Sequence, residues 1–522
     1  MRGNNVFLGL WLTMASLSRA IHNPIISGWN PDPSILRVQD DYYIATSSFE
    51  YFPGIPIYKS RDLSNWTLIS HAFAQPDQLQ LYGTPTGAGA WAPSLAHFDG
   101  RFWIASMTRW TYDPVARVWP RVFFASSVDL IHWSELTWAD PWGIDPELFR
   151  DPLSRKTYLN LMAPNNNQDR LWGIYQCEIS LQDGSCGTDD QHRSTIARSR
   201  SAEGPFEAGP NNPLLFNGAY GFDNLTVQST GHATMVDTPS GEWYAAFLAR
   251  RKINGSSPLG RETFLTSVTW KDGWPIFNDG NPILLSKEVG PVTGKRRIPD
   301  PFVEDFSRQK MDPGWYQLRT PYTKNFNVRR GSLELRPNVF SLSDRDTPAA
   351  LLRKQKSLNM TFSAELLGFS GTLGPRNQVG ISSYLSEFQH QDIGVTACAN
   401  ATGLCLYTEL RQNQTLQYHQ VPLNTSSLKE PLMLHIRATP LRYQFGYSLG
   451  NAVQPKYITE IDSSWQAFAP ANFFVFSGAS FAIFATGLGE PWPRDGPVVG
   501  FKQVTETYYE ENIPDYDVWD KE

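Results

Sequence analysis

Two carboxylates stand at proline-marked entrances to strands. Asp32 lies between Pro31 and Pro33, and Asp145 precedes Pro146. Proline fixes its own φ and disfavours helix in the residue before it, so each aspartate sits at a rigid strand start. Taken singly, such a residue reads as a turn aspartate. What argues against so plain a reading is that the pattern recurs at equivalent points of a repeat.

The elements that must position them form a repeating unit. Each unit has a short proline or polar step, a strand, a turn, an aromatic strand and a later strand closing on a Ser/Asp-x-Trp corner. The first starts at Asp32-Pro33 and closes with IYKSRDLSNWTLI from Ile57. The second starts at Trp91-Ala92-Pro93 and closes with VFFASSVDLIHWSEL from Val122. The third starts at Asp145-Pro146, and the last at Gly231-His232. No helical periodicity competes with this alternation. Even short strands with one aromatic turn motif per unit predict a β-propeller.

One unit runs short. Closing segments begin at residues 57, 122, 174, 195 and 264, so successive spacings are 65, 52, 21 and 69 residues. A four-stranded blade needs roughly 40–45 residues. The 21-residue spacing cannot hold one, and GTDDQHR before Thr195 contains no aromatic strand. The fourth unit therefore keeps its outer end and lacks its opening strands.

The totals fit an all-β chain with a second domain. In 522 residues there are 18 Trp, 21 Tyr, 30 Phe, 38 Pro and 39 Gly, which favours short strands and tight turns. The net charge of −6 gives no basic footprint for nucleic acid. Residues 1–20 read as a secretory signal, with Arg2, an apolar run from Val6 to Leu17, and a small-x-small exit at Ser18-Arg19-Ala20. That run is too short for a convincing membrane span, and no later one follows. Two close cysteine pairs, Cys177/Cys186 and Cys398/Cys405, predict two local disulfides in a secreted chain. Sequons at Asn65, Asn224, Asn254, Asn359, Asn400, Asn413 and Asn424 fit an extracellular glycoprotein. Residues 21–298 read as the propeller. After the proline-rich hinge Ile298-Pro299-Asp300-Pro301 the strands lengthen, so residues 299–522 read as a β-sandwich. The acidic tail from Glu510 is expected to fray.

The motifs GWNPDPSI, SFEYFPG, WAPSL, GIDPELF, STGHATMVDTPSGEWY and LGRETFL resemble glycoside hydrolase family 43, the β-xylosidases and α-L-arabinofuranosidases. Residues 302–522 look like the concanavalin-like sandwich of that family's β-xylosidases. The resemblance implies a five-bladed propeller and an inverting two-carboxylate hydrolysis of xylo- or arabino-oligosaccharides. By it, Asp32 matches the general base, and Asp145 the third carboxylate that orients the acid and raises its pKa. His232 matches an axial histidine that holds water or Ca2+, no cofactor being required. Arg261 matches a sugar-binding arginine, and Phe49 and Trp91 look like apolar walls for a terminal pentose. The motifs do not choose between xylose and arabinose, and they leave the oligomeric state open.

The resemblance also exposes a gap. The family's general acid is a glutamate in an EGPH-type motif at the start of blade four, the part that the spacing omits. Glu203 in Glu203-Gly204-Pro205-Phe206 imitates it, but its context matches the closing strand at the blade rim rather than the axis. Three readings follow: an active exo-glycosidase, a sugar-binding relative without catalysis, or an incomplete product lacking about 40 residues between Cys186 and Thr195 by blade length.

Overall fold

The structure is a computed structural model. It describes residues 22–110, 119–152, 154–164, 172–186, 197–200, 207–217, 222–285, 298–308, 310–329, 331–368, 373–399, 402–412, 415–423, 430–450, 452, 454–467, 475–494 and 496–517. The segment 1–20 expected to be a signal, Glu203 and the sequons at Asn400, Asn413 and Asn424 lie outside these residues.

The chain is a β-propeller, its fourth blade incomplete among the described residues, followed by a β-sandwich. Blade one is the antiparallel sheet Ser34–Val38, Asp41–Ala45, Gly54–Ser60 and Thr67–Phe73. Blade two is Gly89–Phe98, Arg101–Trp110, Trp119–Ser127 and Thr137–Trp142. The last blade is Val227–Asp237, Trp243–Arg251, Arg261–Lys271 and Trp274–Phe277. Local chemistry sets these hairpins. Asp99-Gly100 and Asp272-Gly273 are two-residue turns with positive φ throughout (52°, 72°, 53° and 74°), the mirror-image turn that matches strand twist.

The Trp corners are built alike. Ser60 Oγ accepts the Leu63 N–H at 2.9 Å, and Ser127 Oγ accepts that of Leu130 at 2.9 Å. Asp62 Oδ1 takes the next two amides of its turn, as Asp129 Oδ1 does in blade two. The polar side chains thereby satisfy backbone donors that the corner frees from the ladder.

Blades three and four depart from this plan. Blade three has three described strands, Ile144–Arg150, Thr157–Pro164 and Trp172–Glu178. The next sheet, among the described residues, is the hairpin Ala197–Arg198 with Glu207–Ala208. Among the inner strands, Ser34–Val38 packs on Gly89–Phe98 and on Val227–Asp237, and Gly89–Phe98 packs on Ile144–Arg150. No comparable packing joins Ile144–Arg150 to Val227–Asp237 among the described residues. Among the described residues no inner strand stands between these two, and the gap falls where the spacing runs short. Both cysteine pairs are bonded, Cys177–Cys186 closing the end of blade three.

The sandwich packs an eight-stranded sheet on a six-stranded one. Strand alternation gives the six-stranded sheet two apolar faces. Ile381, Ile393 and Leu406 face the sandwich core with Phe362, Leu434 and Phe445. Tyr384, Tyr407, Ala482 and Phe484 face the propeller and cover Trp29, Phe49 and Tyr51. Tyr51–Phe52 pairs with Gln317–Leu318 across the same interface.

The tail corrects an expectation. Residues up to 517 are docked on the last blade rather than frayed. Glu511 pairs with Arg251 at 2.7 Å, Thr226 N–H donates to Asp515 O at 2.8 Å, and Asp517 N–H to Asn224 O at 2.8 Å. These contacts answer buried donors that charge composition alone does not reveal.

Candidate active site

The repeat start is a backbone device. Asp32, Ala92, Asp145 and His232 occupy the same place in their units, and all have left-handed φ (55°, 42°, 53° and 53°). Register shifts fall around three of them, between Trp91 and Ser94, Ile144 and Glu147, and Gly231 and Thr234. Such a bulge turns the strand and re-aims one side chain. The proline flanks predict an extended backbone for Asp32, and the structure has a left-handed one. Aspartate tolerates that region because its short polar side chain bonds locally.

The re-aimed side chains meet. Asp32 is 8% exposed, and its Oδ2 accepts the Ser47 hydroxyl at 2.5 Å. Ser47 Oγ in turn accepts the Ala92 N–H at 2.7 Å, tying blade one to the bulge of blade two. Arg261 Nη1 stands 3.7 Å from Asp32 Oδ1, and His232 Nδ1 stands 3.8 Å from Asp145 Oδ2. The Asp145 carboxyl titrates above the ordinary aspartate range. Desolvation raises it most, His232 and Arg261 oppose that, and the Asp32 carboxylate adds to it. Asp145 is also the more open of the two, with 39% of its side chain exposed against 12% for Asp32.

Aromatic rings close one side. Phe476, from the sandwich, lies 5.5 Å from Trp91 edge to face, and the Arg261 guanidinium sits 4.3 Å over its ring. Trp91 and Phe476 are half-buried and present the accessible aromatic surface. Phe49 is 1% exposed and backs them, 6.4 Å from Trp91 and 6.3 Å from Phe476. Trp91 is anchored by its indole N–H to Gly87 O at 3.0 Å, and the Gly87 N–H donates to Glu50 Oε2 at 3.0 Å. Glu50 is fully buried, and that burial pushes its carboxyl up to about 7.

All six predicted residues therefore fall in or behind one site. Sequence reasoning missed Ser47, Phe476 and Glu50. Ser47 and Glu50 carry a signal, since Thr46-Ser47-Ser48 and Glu50 are polar residues in an otherwise apolar strand-and-turn run, and all are buried. Phe476 carries none, because its partners are distant in sequence. With a seated carboxylate, a neighbouring guanidinium and a ring wall, the site can hold a sugar and withdraw a proton from water beside it.

The family model of glycosyl hydrolases family 43 matches residues 21–185 and 179–275, two stretches that break where the fourth blade is short. The beta xylosidase C-terminal concanavalin A-like domain matches residues 303–493. The non-reducing end alpha-L-arabinofuranosidase BoGH43B of Bacteroides ovatus is 31% identical over 525 residues, covering 93% of this chain and 95% of that protein. A beta-xylosidase of Bacillus subtilis is 32% identical over 404 residues, covering 66% of this chain and 73% of its own. Among solved structures, xylan beta-1,4-xylosidase from Bacillus halodurans superposes with a TM-score of 0.81 at 25% identity, covering 93% of this chain and 99% of that one. The chain belongs to glycosyl hydrolases family 43.

Proposed function

We propose that the chain is a secreted, exo-acting glycosidase fold that seats a terminal xylose or arabinose against Asp32 for inverting hydrolysis. The convergence of Asp32 and Asp145 from separate bulges onto Arg261 and His232 carries this reading. Asp32 is the base. Ser47 and Arg261 hold its carboxyl in one orientation, from which it takes a proton as water attacks the anomeric carbon. Asp145 is the third carboxylate, and Trp91 with Phe476 forms the apolar wall. The printed activities of the relatives, arabinofuranosidase and xylosidase, support a pentoside substrate class. Exposed sequons at Asn65, Asn224 and Asn254 accord with secretion and glycosylation.

The axis does not fit a protein-held Ca2+. No group of three His, Cys, Asp or Glu side chains close enough to hold a metal occurs among the described residues, and Arg261 adds positive charge. A hard cation takes about six to eight oxygen ligands. His232 is better suited to a water, and no step is assigned to a metal.

The lack, among the described residues, of an inner strand between Ile144–Arg150 and Val227–Asp237 favours a second reading, a sugar-binding but catalytically impaired protein. Without the blade-four acid the leaving oxygen departs unprotonated, a handicap of about 10²–10⁴-fold. Transcript sequencing across the codons for Cys186 to Thr195 separates a true deletion from an incomplete product. Proton NMR of the first sugar released from an aryl β-xyloside and an aryl α-arabinofuranoside tests the main reading. An inverted anomer from either supports it; a retained anomer, or neither binding nor release, overturns it.

A further inference from the structure

The strand Trp243–Arg251 ends in two arginines with opposite settings. Arg251 is 1% exposed and fully answered: Glu262 takes its Nε at 2.7 Å and its Nη2 at 3.0 Å, and Glu511 takes Nη1 at 2.7 Å. Alternation turns Arg250 to the other face, directly across from Arg261 on the neighbouring strand. Its Nε is enclosed and has no acceptor, and no carboxylate pairs with it among the described residues. Desolvation lowers the guanidinium to about 10, and the Arg261 charge lowers it further.

Like charges directly opposite on adjacent strands repel, and a half-buried guanidinium whose enclosed Nε has no acceptor costs free energy. The site offers Arg250 nothing to offset this. Asp32 already answers Arg261 and Ser47, and Asp145 answers His232. An anion arriving with a ligand would supply what is missing. A guanidinium matches a carboxylate in its planar, two-pronged geometry. Two carboxylates stand at the axis nearby, so a single negative charge is tolerated there better than a phosphate dianion.

We propose that Arg250, beside Arg261, forms a subsite for a carboxylate-bearing sugar, so that the protein prefers pentose oligosaccharides carrying a uronic acid. This rests on the pentoside reading for the sugar and on the arginine pair for the charge, and the two parts are separable by experiment.

Calorimetric titration of the full chain with three ligands tests it: xylotriose, glucuronic acid, and xylotriose bearing one 4-O-methylglucuronic acid. The acidic tetrasaccharide should bind about 10-fold tighter than xylotriose at low salt, the range of one charged hydrogen bond. That ratio should shrink as salt rises. In Arg250→Met it should fall to about one, and in Arg250→Lys it should lie between. Arg250→Met should melt no lower than the wild type, because it removes an unpaired enclosed charge. Equal affinity of the wild type for xylotriose and the acidic tetrasaccharide, survival of the ratio in Arg250→Met, or unfolding of that variant would overturn the subsite. If glucuronic acid binds in an Arg250-dependent way and xylotriose does not bind, the subsite stands and the pentoside reading falls. If no ligand binds, both fall.

Discussion

The two sides of the propeller axis are unequally built. On the Asp32 side stands a complete four-stranded blade, with Ser47 bonded to the carboxylate and Phe476 of the sandwich closing over Arg261. On the Asp145 side, among the described residues, stands a three-stranded sheet, and beyond it a short hairpin. The exposures of 12% and 39% for the two side chains follow that difference. A site assembled by convergence can lose one role while the others keep their geometry. Here, among the described residues, Asp32 is seated against a full blade, and Asp145 borders a side with fewer strands.

Replacing the two aspartates tests this asymmetry most strongly. Asp32→Asn should reduce kcat on an aryl xyloside by about 10²–10⁴-fold, the usual worth of a general base. On the reading that lacks the blade-four acid, Asp145→Asn should cost less, having no acid to orient; equal losses would break the comparison. Ser47→Ala comes next. Losing one bond to a charged group is worth about 1.5–3 kcal/mol, so kcat should fall about 10–100-fold with KM little changed.

Glu50 sharpens the comparison through pH. Its folded carboxyl titrates near 7, above the unfolded value. The folded state thus favours the protonated form, and the associated stability is full in acid and declines as pH rises from about 4.5 to about 7. Glu50→Gln removes that decline. Its melting temperature should gain on the wild type across this window, by the equivalent of about 3 kcal/mol at most, and the difference should level off above it. A pH-independent difference would contradict the assignment. The smallest effect is at the sandwich: Phe476→Ala should raise KM about 2–10-fold through one aromatic contact, leaving kcat nearly unchanged.

Much of this was legible in the sequence because the propeller repeats itself. Unit starts, Trp corners and the short fourth spacing all follow from local patterns, and both aspartates follow from them. The left-handed bulges were not legible, since proline neighbours argue for extended backbone and only the ladder register reveals the shift. Phe476 over Arg261, the Ser47 link to Ala92 and the docked tail join residues distant in sequence. Periodicity says nothing of such partners, and charge composition misleads, as the acidic tail shows by answering Arg251.

The central claim, a seated base without its acid, is tested most directly by the leaving group. The measurement is kcat/KM for a series of aryl β-xylosides of falling phenol acidity, ending with xylobiose. The account predicts a steep decline, with xylobiose slower than the nitrophenyl substrate by about 10²–10⁴-fold. A flat series, with xylobiose turned over as readily as the nitrophenyl xyloside, would contradict it and place a working acid in this chain.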